Sequence, residues 1–381
     1  MKADKEYIIQ IRRELHRYPE LTFELPKTLA IVRRELEAMG IPYTEKYGVS
    51  SIVATLNEGV GKKTIALRAD MDALPIQEET GLEFASCHPG IMHACGHDCH
   101  TAILLGTAKK LKEMEKELKC CVKFFFQASE EGPSGAKRMC DDGAMDTVDE
   151  IVTCHVSPGR FAGQISTNKT CVNAGSRSFV IDLFGKSCHV SAPHQGVDAI
   201  AMAVRIYSDI QFMRARELDQ TKPVVIGIGQ FHGGTANNIV CDHVTLTGTI
   251  RTQDNAVSEK AAKRLKEIVE CVARDMGGEA KVEFKPFNPA VCNDHDLVDR
   301  VLEAAEKVVG KENIFEQQPS MGTEDFAYFM QYKPGMKFCL GVQPEDGPVI
   351  PLHNGKLIID ENGLDVGANI FIQYVLDQME K

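Results

Sequence analysis

Cys121-Val-Lys-Phe-Phe-Phe126, continued by Gln-Ala-Ser-Glu-Glu131, reads as a short buried strand that delivers two carboxylates at its carboxyl end. A brief apolar run without alternation suits a parallel sheet covered on both faces. Residues 151–155 have the same character, and residues 51–56 and 64–69 form further strand candidates. Helical patterns lie around them. Tyr7, Ile8, Ile11 and Leu15 share one helical face, which Pro19 ends. Leu29, Val32, Leu36 and Met39 repeat the pattern after Pro26, and Gly40 supplies the stop. A third helix is expected over residues 101–118. Strands alternating with helices give an α/β fold, with a central, largely parallel sheet flanked by helices.

The pattern changes near residues 173–178. Residues 178–184 alternate as a half-buried strand, and a helix is expected over 196–216. Strands at 224–231 and 240–251, a helix at 256–276 and a strand at 281–284 follow. That order, β-α-β-β-α-β, is the ferredoxin-like split arrangement. Pro286 and Pro289 mark the way out. The expected organisation is therefore a first domain in two parts, 1–176 and 290–381, with an inserted domain at 177–289. A chain of 381 residues exceeds what one core usually supports.

The net charge of -11 argues against nucleic acid as a partner. No apolar run reaches the length of a membrane span. The amino-terminal residues are charged and lack a signal-peptide apolar region, so a cytoplasmic location is expected. Thirteen cysteines without small-scaffold spacing are expected as reduced thiols, most of them packed as small apolar groups.

Chemistry concentrates in His93-Ala-Cys-Gly-His97-Asp98-Cys-His100. Cys95 and His97 can face one metal ion across Gly96, and a thiolate with an imidazole suits zinc and other late first-row ions. A closed structural zinc site would need further paired ligands, and no second Cys-x2-Cys pair exists. The other candidate donors of the stretch are His93, Asp98, Cys99 and His100.

In open α/β sheets ligands bind beyond the carboxyl ends of the strands. Asp70 and Asp72 follow one strand candidate, Glu130 and Glu131 another, and His155 ends a third. Adjacent side chains on extended backbone point to opposite sides, so one glutamate can bind metal while the other acts as general base. The plainer reading of such a pair is a solvated surface. Asp70 and Asp72 either cap a turn or orient a ligand histidine. His353 alone carries little meaning. In the inserted domain, Gly185-Lys-Ser-Cys-His189, the loop 233–238 ending in Asn238, and Arg251 are either turn chemistry with an exposed arginine or a set that binds a carboxylate and an oxyanion.

Met92-His-Ala-Cys-Gly-His-Asp98, Leu67-Arg-Ala-Asp-Met-Asp-Ala-Leu74, Gln127-Ala-Ser-Glu-Glu131, residues 185–193 and Met321-Gly-Thr-Glu-Asp-Phe326 together resemble the di-metal amidohydrolases of the aminoacylase/carboxypeptidase family. The closest branch holds hippurate hydrolases, N-acyl-amino-acid amidohydrolases and plant auxin-conjugate hydrolases. The resemblance covers essentially the whole chain. It implies two divalent ions per subunit, zinc or manganese, held by Cys95, His97, Glu131, His155 and His353, with Cys95 as the bridge. It implies Glu130 as general base and Asp72 as an orienting residue. Asp70 stands where other branches carry a metal-binding histidine. His189 matches a histidine that serves the partner subunit's active site and stabilises the oxyanion, and Asn238 and Arg251 match substrate-binding residues. A homodimer formed through the inserted lid domain is implied as well.

Two departures from the family pattern are Cys241, in place of a proline, and Gly355 after His353-Asn354. The implied activity is hydrolysis of N-acyl-L-amino acids to an amino acid and a carboxylic acid. A dipeptidase or carboxypeptidase using the same site, a silent metal-dependent binding protein and a thiol redox sensor are the alternatives.

Overall fold

The computed structural model describes residues 2–379. Contacts divide the chain into two compact units, Met1–Val172 with Cys292–Gln318 and Asp325–Lys381, and Asn173–Val291 with Pro319–Glu324. The sequence placed the boundaries at 176/177 and 289/290 and did not separate the short segment Pro319–Glu324.

The first unit opens with helices α1 (Lys5–Arg17) and α2 (Pro26–Met39). Strands β1 (Tyr43–Thr44), β2 (Ile52–Leu56) and β3 (Thr64–Asp70) follow, then α3 (His97–Glu113), β4 (Cys121–Gln127), α4 (Gly135–Asp141), β5 (Glu150–Phe161), β6 (Ile165–Thr167) and β7 (Cys171–Asn173). The second unit contains β8 (Gly175–Phe184), α5 (Ala199–Arg216), β9 (Val224–Gly233), β10 (His243–Thr252), α6 (Asn255–Asp275) and β11 (Glu279–Phe284). After β12 (Val291–Cys292), helix α7 (His295–Val309), β13 (Ile314–Glu316), β14 (Gly335–Gln343) and α8 (Leu364–Asp377) complete the first unit.

Its eight-stranded sheet has the order β1-β2-β4-β3-β5-β14-β6-β13. The four central strands, β4, β3, β5 and β14, are parallel neighbours. All seven residues of β4 are buried, Lys123 included, whose ammonium donates to the Thr147 hydroxyl at 2.6 Å. Phe124 and Phe126 pack in the same core as Leu67 and as Ile103, Leu104 and Leu105 of α3. Burial of one such leucine stabilises the fold by about 1.5–3 kcal/mol. Gly106 lets α3 approach α1, because a Cβ there would meet Ile8 Cγ1 at 2.5 Å.

Three local expectations change. Helix α3 begins at His97 rather than near residue 101, because Gly96 adopts φ +80° and turns the chain into the helix. Strand β5 continues six residues past His155, so that histidine lies within the strand. Cys171 and Cys292, expected as thiols, are paired in a disulfide. They sit on the paired strands β7 and β12, a juxtaposition that their separation of 121 residues conceals in the sequence. The other cysteines form no disulfide, and most of them are buried.

In the second unit the strands run antiparallel in the order β11-β8-β10-β9. Phe179, Ile181 and Leu183 of β8 alternate inward against Met202, Ile206 and Ile210 of α5 and Leu265 and Val269 of α6. Among the described residues no helix is long and apolar enough to cross a membrane.

Candidate metal centre

Strand β3 ends at Asp70 and its neighbour β4 at Gln127, which are register partners. The chain then carries Asp72 and the Glu130–Glu131 pair away from the same edge. Cys95 precedes the glycine that starts α3. A Cβ on Gly96 would lie 2.4 Å from Val156 Cγ2, so only glycine fits between Cys95 and His97.

Cys95, His97 and His155 each offer a donor atom, all within 4.8 Å of one another. Cys95, Glu131 and His353 form a second such triad, and His97, Glu130 and Glu131 a third. Cys95 is common to the first two. The thiol is thus within reach of both donor sets.

His97 is fully buried, and neither ring nitrogen has a hydrogen-bond partner among the described residues. Asp72 Oδ1 lies 3.5 Å from Nδ1 and Asp70 Oδ2 3.8 Å from Nε2. Burial disfavours the imidazolium, but Asp70, Cys95 and Asp72 outweigh it and hold the pKa well above the usual histidine value. A buried imidazole whose nitrogens make no hydrogen bond is costly, and a cation that takes the place of the ring proton would satisfy it. Burial also pushes the Cys95 thiol up, so thiolate character at neutral pH calls for an adjacent positive charge. A divalent ion fits both requirements.

His155 Nδ1 donates to the Val156 carbonyl at 2.8 Å, which leaves Nε2 as the acceptor nitrogen, 3.6 Å from Cys95 Sγ. Fixing one ring nitrogen to present the other is the usual arrangement of a ligand histidine. His100 differs. Its Nε2 accepts the Val156 backbone N–H at 2.9 Å, so Nδ1 carries the proton and donates to Asp70 Oδ1 at 2.5 Å. Asp70 is also paired with the buried Arg68 at 2.6 Å. Burial raises its pKa, but Arg68, His97 and His100 more than reverse that and keep it ionised. Asp70, His97 and His100 are another close triad. Two of its members are already committed to other partners.

Asp72 is buried and spans the glutamate pair. Its Oδ1 accepts the Glu130 backbone N–H at 2.9 Å and its Oδ2 that of Glu131 at 3.1 Å. Its direct contact is with this backbone, and its 3.5 Å approach to His97 is the longer one. Ser129, just before, adopts φ +57°, which turns the chain sharply out of β4. Glu130 Oε1 accepts the Asp325 backbone N–H at 3.3 Å.

Glu131 Oε1 lies 3.0 Å from His353 Nε2. Their contact raises the histidine pKa, and it lowers that of the glutamate against the effect of burial. His353 is half-exposed and takes φ +62°, where a non-glycine residue is strained. Its backbone N–H donates to the Ala94 carbonyl at 2.8 Å, which ties the loop to the Cys95 segment. The departure at Gly355 leaves a close approach in place, since a Cβ there would meet the Gln77 carbonyl oxygen at 2.2 Å.

In the second unit, the His189 and Asn238 loops pair. His189 bridges Ile239, and the Val190 N–H donates to the Asn238 carbonyl at 3.1 Å. His189 is exposed, with Nδ1 2.7 Å from Ser191 Oγ. Arg251 lies one residue before the end of β10 and donates to the Met321 carbonyl at 3.0 Å. Cys241 Sγ donates to the His243 carbonyl at 3.0 Å.

Sequence reasoning assigned no role to Arg68, Asp325, Arg12 or His16. Arg12 and His16 of α1 hold Asp98 at 2.9 and 2.8 Å, and so moor the first turn of α3 beside His97. The available signal was Arg68 itself. An arginine inside a buried strand demands carboxylates, here Asp70 and Asp325.

A family model described as peptidase family M20/M25/M40 matches residues 66–377. The chain belongs to that family. Among curated relatives, thermostable carboxypeptidase 1 of Saccharolobus solfataricus is 37% identical over 369 residues, covering 96% of this chain and 93% of the relative. N-acetyl-L-cysteine deacetylase of Bacillus subtilis is 35% identical over 371 residues, covering 97% and 87%. Among solved structures, the Bacillus subtilis YXEP protein, described as a dinuclear metal binding peptidase of the M20 family, superposes with a TM-score of 0.84 at 31% identity, covering 99% of this chain and 98% of that one. As an M20 member the chain is a hydrolase of C–N bonds, and its central sheet is the mixed, mostly parallel one of M20 structures.

Proposed function

We propose that this M20 hydrolase cleaves the amide bond of N-acyl-L-amino acids of the hippurate type and releases an amino acid and a carboxylic acid. The observation that carries the reading is Cys95, shared by two donor triads, with Glu130 beside them. The deacetylase relative supports an acyl-amino-acid substrate. The carboxypeptidase relative favours a second reading, a dipeptide or peptide cleaved at the same site.

In this reading Cys95, His97, Glu131, His155 and His353 hold two divalent cations, zinc or manganese. When bound, these cations supply Lewis-acid polarisation of the scissile carbonyl and a lowered pKa for an attacking water. Glu130 accepts the proton of that water and returns it to the departing amine. Asp72 fixes both glutamates through their backbone, which separates the base from the ligand. His155 presents Nε2 toward Cys95 because Nδ1 is committed to a carbonyl. His189 supplies a hydrogen bond to the developing oxyanion, and Asn238 and Arg251 bind the substrate carboxylate or carbonyl oxygen.

The same reading takes the split β-α-β-β-α-β unit as a ferredoxin-like lid and dimerisation domain, and the protein as a cytoplasmic homodimer. Strand β9 is a sheet edge, with exposed Val225 and Phe231. Helix α5 adds exposed Val204, Tyr207 and Phe212. An uncovered apolar edge of this kind suits pairing with a second copy.

The deciding experiment is a hydrolysis panel of N-acyl amino acids and dipeptides, with metal analysis of the same sample. Faster turnover of acyl-amino acids supports the first reading. Turnover of dipeptides alone would replace it with the second.

A further inference from the structure

Asp325 is the residue at which the chain re-enters the first unit, and it is buried. Its carboxylate gathers donors from three places. Oδ1 accepts from Arg68 at 3.0 Å and Gln127 at 2.8 Å, residues on the adjacent strands β3 and β4. Oδ2 accepts from Gln127 at 2.8 Å, from the Ser134 hydroxyl at 3.1 Å and from the Ala136 backbone N–H at 3.0 Å, in the first turn of α4. A carboxylate with this many donors, one of them a buried guanidinium, is held in one place. Its own backbone N–H donates to Glu130 Oε1.

We propose that Asp325 is a positioning residue for the general base. Its side chain clamps the turn to the end of the sheet, and its main-chain N–H then holds Glu130 Oε1 and so sets the direction of the carboxylate. The inference rests on the reading of Glu130 as base. Neither Asp72 nor Asp325 touches the proton, and they divide the work. Asp72 fixes the Glu130 backbone, and Asp325 fixes the carboxylate. Fixing the backbone leaves the side-chain torsions of a glutamate unspecified, so a second anchor at Oε1 is needed to aim it.

The test is a double-mutant cycle on the metal-loaded full chain, with an N-acyl amino acid that the protein hydrolyses as substrate. Asp325→Asn keeps an acceptor for Arg68 but turns an NH2 group toward donors. The expected result is a fall in kcat of about 10- to 100-fold, with KM within about threefold and metal content unchanged, as for a displaced catalytic group. In a Glu130→Gln background, Asp325→Asn is expected to cost nothing further. Equal losses in both backgrounds, or a loss confined to KM or metal content, would overturn the proposal.

Ser134→Ala removes one anchor only and should lower kcat a few-fold in the same pattern, so it keeps the test open if Asp325→Asn does not fold. No loss in Ser134→Ala would then count against the proposal. Wild-type turnover in Glu130→Gln would instead refute the base assignment on which the inference rests.

Discussion

Asp72 Oδ1 accepts the backbone N–H of Glu130 at 2.9 Å, and its second oxygen accepts that of Glu131 at 3.1 Å. One buried side chain thereby sets the direction of two adjacent glutamates. Asp72→Asn would place an amide NH2 against one of those N–H groups. Hydrogen bonds to a charged acceptor contribute about 1.5–3 kcal/mol, so kcat/KM is expected to fall about 10- to 150-fold. Steady-state kinetics on protein of unchanged circular dichroism reads this. Wild-type kcat/KM in that variant would show that the glutamates hold their places without Asp72.

Cys95 belongs to two donor triads, whereas His155 and His353 belong to one each. Cys95→Ala is therefore expected to lower bound metal at both positions, and His155→Ala or His353→Ala at one. Metal per subunit, measured by mass spectrometry after gel filtration, should rank the cysteine variant lowest. Wild-type metal content in Cys95→Ala would remove the bridging role. Chelation of the wild-type protein should lower Tm, since ligands that bind only the folded state stabilise it.

The strands at 121–126 and 64–69 were legible because strands buried on both faces are written mostly in apolar residues, here around Lys123 and Arg68. The proposed ligand set rests on motif resemblance, and the structure brings its members together as close donor triads, with His155 inside β5 rather than at its end. What stayed hidden shares one physical trait, which is partnership across long separations. His100 stands in the same dense cluster as His97, and its pairing with the Val156 N–H, 56 residues away, is not written in the local pattern. Asp325 is 257 residues from Arg68, and no local pattern links them. The start of α3 was missed because the left-handed Gly96 admits the chain to the helix four residues early, in a segment dense with polar groups.

Gly96 is required by space and by backbone. At φ +80° an alanine is strained, and its Cβ would stand 2.4 Å from Val156 Cγ2. Gly96→Ala is expected to destabilise by about 1–3 kcal/mol through crowding, with the backbone cost added. Differential scanning calorimetry should show a lower Tm. Adding Val156→Ala should restore part of the loss by relieving the clash, but the φ cost should persist. Full recovery in the double variant would mean that the left-handed backbone carries no cost.

Glu150, at the amino end of β5, tests the scaffold apart from the chemistry. It is buried and pairs with Arg300 at 2.8 Å and Lys63 at 2.8 Å, with the Tyr374 hydroxyl donating to it as well. Burial raises its pKa, but these partners outweigh burial and hold it below the usual 4.5. A carboxyl group with a depressed folded pKa contributes stability above its unfolded value, and that contribution is lost as pH falls through the folded value. Glu150→Gln should therefore lower Tm clearly at pH 7, by the equivalent of about 3 kcal/mol for a broken buried pair. The gap between wild type and variant should stay constant down to about pH 4.5 and close below it, as the wild-type carboxylate takes up its proton. Thermal melts of both proteins between pH 7 and pH 3 measure that gap. A gap unchanged at pH 3 would mean that Glu150 acts by packing alone.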